Sequence, residues 1–485
     1  MAHIRFILIF SLVLLSFTEI HASDNLPLVD GNSDQDLCLI CECLKTEPYE
    51  VDCMNMEFHV VPPRSFNHSN PWQLDLTNNM IKTIPKFPKM PNMITLSFKN
   101  NEITNISQAA FGNLYDLRAL VLSNNHLTVD ILKKGVFGAE ELQNGTMNYG
   151  LALEELDLSY NDLHSLEGHT LQWLTSLKKL YLNNNPIQDI PYDMATALTT
   201  LENLQELDLS QCYLDRLPPH FLVDMRKLQV LILAGNKFTV VPSELNYAPT
   251  LTHLNLNGNP ISSIMSGDFQ EKLRTLRELD LSAMSELRNV GPESFSSLHH
   301  LEVLRMTNNP NLRVIDKTAF QFFEMDCNLQ ELHINSNSLS TISKEMLPWS
   351  SLKVVDLQNN PWNCDCNLEW LATELMPYLE RTNPTKTLSL LCADPIADRG
   401  QKITDIVGKS HSFECNSPMH YKDDYYSPIA IGIIIVGITL LITGTIIFAY
   451  VMFRRTKSLS MFGDSVKYRR TRNLDEEAIS QTVYT

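Results

Sequence analysis

Among its 485 residues the chain has no H-E-x-x-H, G-x-S-x-G, Walker loop or G-x-G-x-x-G. A helical zinc pair, a nucleophile elbow, a phosphate cradle and a dinucleotide turn each need one of those spacings. The adjacent His299 and His300 point their rings apart, which suits a solvated loop. No convergent acid, base and nucleophile can be assembled, so neither an enzyme nor a cofactor is expected. Positive charge is also short: 38 Lys and Arg stand against 56 Asp and Glu, a net charge of -18. After Phe453 there are seven Lys or Arg and four acids, so everything before it is more acidic still. Such a body repels phosphate backbones, and nucleic acid is not an expected partner. Cysteine is scarce, at 10 residues, yet it is concentrated at two places.

Long apolar runs are absent except for two. Arg5, then Phe6 to Phe17, then the small Ala22 and Ser23 read as a secretory signal over residues 1–22. Residues 428–453 hold fifteen Ile, Leu, Val or Phe and no charge. That exceeds the ~20 residues a bilayer-crossing helix needs. At roughly 0.3–0.6 kcal/mol each, those side chains favour insertion by about 5–9 kcal/mol. Arg454, Arg455 and Lys457 follow and fix the inner side. The expected topology is single-pass type I in the plasma membrane. Residues 23–37 are then a flexible start, 416–427 a juxtamembrane linker and 454–485 a cytoplasmic tail. A tail this short excludes a kinase or Toll-type domain.

Between the two runs the chain repeats itself. LEELDLSYNDL (153–163), LKKLYLNNNPI (177–187) and LTHLNLNGNPI (251–261) share the template L-x-x-L-x-L-x-x-N-x-L, the leucine-rich-repeat pattern. Twelve copies run through 71–360, with the template asparagine at 79, 101, 125, 161, 185, 212, 236, 259, 284, 309, 337 and 360. The L-x-L core is a short strand whose leucines face inward. One copy cannot bury that face, so neighbours stack into a continuous parallel sheet. The asparagine amide, donor and acceptor at once, can satisfy backbone groups of adjacent turns. Cys212 takes that slot with a weak S–H; Met284 cannot, and an irregularity is expected there. The step from 125 to 161 is about a dozen residues too long. The surplus around 130–150 reads as an excursion, or as a thirteenth, degenerate repeat.

A solenoid exposes its core at both ends and needs caps. Cys38, Cys41, Cys43 and Cys53 precede the repeats; Cys364, Cys366, Cys392 and Cys415 follow them. Four cysteines allow three pairings, and spacing alone does not choose. Cys364 and Cys366 are too close to bond each other without strain, so they reach for Cys392 and Cys415. Zinc is the rival reading, but export favours oxidation and no metal is expected. Trp362 and Trp370 beside them read as apolar plugs.

The C-x2-C-x-C-x9-C start (38–70) and NPWNCDCNLEWL…C…C (361–415) resemble the caps of extracellular leucine-rich-repeat proteins. That family usually places three residues, not two, between its first cysteines. The resemblance implies Cys38–Cys43, Cys41–Cys53, Cys364–Cys392 and Cys366–Cys415. It implies an α/β solenoid, a leucine-rich-repeat horseshoe with a parallel concave sheet and disulfide caps, here carried on one transmembrane helix. It also implies an adhesion molecule, receptor or co-receptor. The alternative is a signalling receptor that recruits adaptors or kinases through its tail. The partner is expected to be an extracellular or cell-surface protein, and homophilic or cis association stays open.

Outward strand positions are where a partner would touch. Aspartate there is commonplace, so the departures carry more information. Val121, Tyr181, Val230 and Ile232 place apolar surface on a polar face. Asp208, Asn255, Arg305 and His333 complete the candidate set. Sequons at Asn67, Asn105 and Asn144 mark N-glycosylation.

Overall fold

In a computed structural model, the described residues are 37–409 except 63–65, 67, 133–134, 139–150, 322–327 and 383–389, together with 413, 443–445, 447–448 and 450. The chain divides into two units, Met1–Glu414 and Cys415–Thr485.

The first unit is built on a 14-stranded sheet. It opens with the antiparallel pair Glu42–Leu44 and Tyr49–Asp52, and from there every strand is parallel to the last. The inward leucines stack in register: Leu156, Leu180, Leu207, Leu231, Leu254, Leu279, Leu304 and Leu332 lie on successive strands. Each of these is at most 2% exposed. Burying a leucine contributes about 1.5–3 kcal/mol, and here every strand repeats the gain. Phenylalanines continue the core on the opposite side, Phe111 stacking on Phe137 and Phe269 on Phe295.

The α component is slight. Within the repeats the described helix is Tyr192–Thr199; elsewhere the strands are joined by turns, 3-10 segments and two-residue strands such as Ser263–Ile264. A repeat of some two dozen residues leaves little chain for a helix after strand and turn. The long third step also differs from its sequence boundary. Leu132, Val136 and Phe137 are buried in the core, so the repeat continues through Gly138. The rest of the expected excursion, 139–150, lies outside the described residues.

The asparagines form the expected ladder. Asn101 Nδ2 donates to Leu76 O at 2.9 Å and Phe98 O at 3.1 Å, while its Oδ1 accepts from Ile81 N at 3.0 Å. The residue before each rung is left-handed: Asn78, Asn100, Asn124, Asn184 and Asn308 have φ of 54–58°, and Gly235 and Gly258 of 64° and 70°. Asparagine and glycine tolerate that conformation, which explains the recurrent N-N. Cys212 replaces only half a rung. Its thiol donates to Leu182 O at 3.3 Å and Ser210 O at 3.4 Å, but Ile187 N, lacking an amide oxygen, turns to Asn185 O. The irregularity at Met284 is present too. Asn309 Oδ1 accepts from Met284 N at 2.7 Å, two residues earlier than the regular rungs, and Asn309 Nδ2 is buried without a hydrogen-bond partner.

Both ends are stapled. Cys38–Cys43, Cys41–Cys53 and Cys364–Cys392 are bonded. Cys366 is also disulfide-bonded; its expected partner Cys415 lies outside the described residues. Trp362 is fully buried and donates Nε1–H to Leu357 O at 3.1 Å. Trp370 is only half-buried, against Trp349. Cys212 is a free, buried thiol.

In the second unit, 443–445, 447–448 and 450 are helical and exposed. Among the described residues no helix is long and apolar enough to cross a membrane. Most of 428–453, and all of 1–36 and 451–485, lie outside them.

Candidate protein-binding face

Each short strand presents one residue on either side of its inward leucine, so the sheet face carries two outward rows. In the second row, Val121, Asp157, Tyr181, Asp208, Ile232, Asn255, Asp280, Arg305, His333 and Asp356 follow one another in register. All eight candidate residues therefore lie on one face. Tyr181, Asp208, Ile232 and Asn255 are on consecutive strands, with Val230 beside Ile232 in the first row. Val121 is separated from Tyr181 by Asp157; Arg305 and His333 lie further along.

Exposure differs from the expectation. Val121, Tyr181, Val230 and Ile232 are half-buried, because each leans on the row beside it. The most exposed large apolar side chains are elsewhere, at Tyr192 (84%) and Ile396 (80%).

The second row also shows why aspartate is commonplace there. Asp75, Asp157, Asp208 and Asp280 each accept the N–H of the residue two further on, at 2.8–2.9 Å. Asn255 does the same for Asn257 at 2.9 Å. These side chains cap the end of their own strand, a local bond that polar residues of this type favour. Arg305 and His333 instead face neighbours, at 3.1 Å from Glu278 and 3.3 Å from Glu331.

The first row holds residues that the sequence pattern did not single out. Lys179 Nζ lies 3.9 Å from a carboxylate oxygen of both Glu155 and Glu206. Just outside the strands, Glu154 is bonded to Lys178 and Arg118, both at 2.7 Å. Its carboxyl is held below the usual range by the Lys178 hydrogen bond, assisted by Arg118. Glu155, Lys179 and Glu206 directly precede the inward leucine and Arg118, Glu154 and Lys178 stand one position earlier, and comparing those columns between repeats would have found them. Burial first, then Glu206 and Glu155, push the Tyr181 phenol upward, so it stays protonated. Burial also raises Asp208, against the opposing hydrogen bonds from Ser210. Among the described residues no group of three His, Cys, Asp or Glu could hold a metal ion.

The Leucine rich repeat family profile matches residues 73–127, 202–261 and 274–325, and a two-copy repeat profile matches 152–193 and 175–222. Tsukushi of Gallus gallus is 31% identical over 317 residues, which cover 64% of this chain and 73% of that protein. The chain belongs to the leucine-rich repeat family. Podocan of Mus musculus is 30% identical over 327 residues, 62% of this chain and 50% of Podocan. CD180 antigen of Mus musculus is 27% identical over 353 residues, 69% of this chain and 48% of the antigen. This leucine-rich repeat protein thus spans about half the length of those two relatives. Its disulfides belong to an oxidising compartment, and it is an extracellular protein. Asn105 is exposed on the two-residue strand Asn105–Ile106, away from the binding face. Asn67 and Asn144 lie outside the described residues.

Proposed function

We propose that the chain is a cell-surface receptor, co-receptor or adhesion molecule, held by the span 428–453, that binds a protein partner on the concave face of repeats three to eight. The observation that carries this is the unbroken run Tyr181, Asp208, Ile232 and Asn255 on adjacent strands, where aromatic, acidic, apolar and amide groups converge. Tyrosine is favoured at interface hot spots. Ten or more strands at ~4.8 Å offer more than the ~800 Å² a standard partner covers. The Asn105 sequon leaves that face unshielded. The span is supported by its composition and by Ile447, Phe448 and Tyr450, helical side chains that are 58–68% exposed and so apolar toward their surroundings.

Two measurements test this. Antibody to the repeats should label intact expressing cells; labelling only after permeabilisation rejects surface display. Tyr181→Ala and Ile232→Asp should each lower binding of the purified chain to partner-bearing cells at least tenfold with unchanged circular dichroism. Unchanged binding by both rejects the face. Mixing two dyed cell populations separates adhesion, which clumps them, from cis modulation, which does not.

A further inference from the structure

From Val121 to Asn255 the strand-end caps are missing at alternate repeats. Where Asp157, Asp208 and Asn255 accept the N–H two residues on, Val121, Tyr181 and Ile232 cannot. Among the described residues, the N–H groups of Ser123, Asn183 and Ala234 form no hydrogen bond. The first case is doubly deficient. Ser123 is 2% exposed and its Oγ has no partner either, whereas the equivalent Ser159 Oγ donates to Asp157 at 2.6 Å. Unmade bonds of this kind weaken the folded chain, and at Asn183 and Ala234, which are half-buried, an acceptor supplied from outside would complete them.

Charge points the same way. The first row places Lys179 between the carboxylates of Glu155 and Glu206. The second row repeats that arrangement with Asp157 and Asp208, but Tyr181 stands where the cation would be. Among the described residues no cation lies within 4.0 Å of Asp157 or Asp208, although Lys179 does so for the neighbouring acids. A metal ion does not fit. The two aspartates are two strands apart, about 10 Å, and a metal needs oxygens within about 2.6 Å. An ammonium or guanidinium at Tyr181 would stand about 5 Å from each strand bearing a carboxylate, within the range at which a cation attracts an aromatic ring.

Resting on the protein-partner reading above, we propose that this face seats an extended, cation-bearing segment of the partner. Its backbone carbonyls accept from Asn183 and Ala234, and an Arg or Lys side chain lies over Tyr181 between Asp157 and Asp208. Successive uncapped amides are two strands apart, about 10 Å, which an extended chain covers in about three residues.

The test pans a phage-displayed random peptide library against the full-length chain in nanodiscs. Enriched peptides are titrated on wild type, Val121→Asp, Tyr181→Asn, Ile232→Asp and the remote Tyr192→Ser. The expected peptides carry Lys or Arg, bind Tyr181→Asn and Ile232→Asp at least tenfold more weakly, and bind Tyr192→Ser unchanged. Val121→Asp should also cap Ser123 as Asp157 caps Ser159, raising Tm by about 2 °C. A lowered Tm for that variant, or no enrichment, overturns the proposal. Cation-free peptides that Ile232→Asp still abolishes overturn the cation but leave the protein-binding face standing. Peptides indifferent to every sheet variant overturn both.

Discussion

Removing one rung of the asparagine ladder gives the most quantitative prediction. Asn259 is fully buried. Its Nδ2 donates to Leu233 O and Leu256 O, both at 2.9 Å, and its Oδ1 accepts from Phe238 N at 3.1 Å. Asn259→Ala leaves Leu256 O and Phe238 N unpaired in a core that water does not reach, while Leu233 O keeps its 2.9 Å bond from Asn236 Nδ2. Each costs about 1–3 kcal/mol, so a loss of about 2–6 kcal/mol is expected. Asn309 is equally buried but works at one contact, the 2.7 Å bond from Met284 N, while its Nδ2 is already without a partner. Asn309→Ala should therefore cost only about 1–2 kcal/mol. Urea unfolding of both variants under the same conditions gives the two values by linear extrapolation. The comparison matters more than either number, since side-chain type, burial and substitution are identical. Equal losses, or a larger loss at Asn309, would refute the argument that the bonds, rather than the buried volume, make the rungs stabilising.

Three other outcomes follow from the same contacts. Cys212→Asn should stabilise the chain by about 0.5–1.5 kcal/mol, because an amide oxygen would accept the Ile187 N–H that the thiol cannot; urea unfolding measures it. Burial pushes the Cys212 thiol up to about 12 from its ordinary 9.0. The unfolded chain then loses this proton first, so stability should fall as pH rises from 9 toward 12, by up to about 4 kcal/mol. A Cys212→Ala chain should lack that component in a pH series of Tm. Cys392→Ser opens the bridge to Cys364, with a sequence separation of 28, and should cost about 3–4 kcal/mol through regained chain freedom. Non-reducing thermal scans should show the loss; an unchanged Tm would mean that the bridge does not hold the cap.

The repeat architecture was legible because its signal is one-dimensional. Leucine spacing dictates which side chains turn inward, and each copy restates the pattern. Even the substitutions at Cys212 and Met284 were informative, since a thiol can donate where a thioether cannot. Val136 and Phe137 fit no template position, so spacing could not assign them, yet both are buried and Phe137 stacks on Phe111 in the core. The outward residues were less legible. Their exposure depends on neighbours one repeat away, so Val121, Tyr181 and Ile232 looked more open than they are. The capping role of Asp157, Asp208 and Asn255 depends on backbone direction at the strand end. The Glu155–Lys179–Glu206 row appears only when three repeats are laid side by side.

The central claim is that a leucine-built stack is closed by sulfur at either extremity and matures outside the cytoplasm. Non-reducing peptide mapping by mass spectrometry, on chain isolated from the surface of living cells, tests it most directly. It should find Cys38 joined to Cys43, Cys41 to Cys53 and Cys364 to Cys392, with Cys212 as a thiol. Free thiols at those six positions, or their exchange into other pairs, would contradict the account.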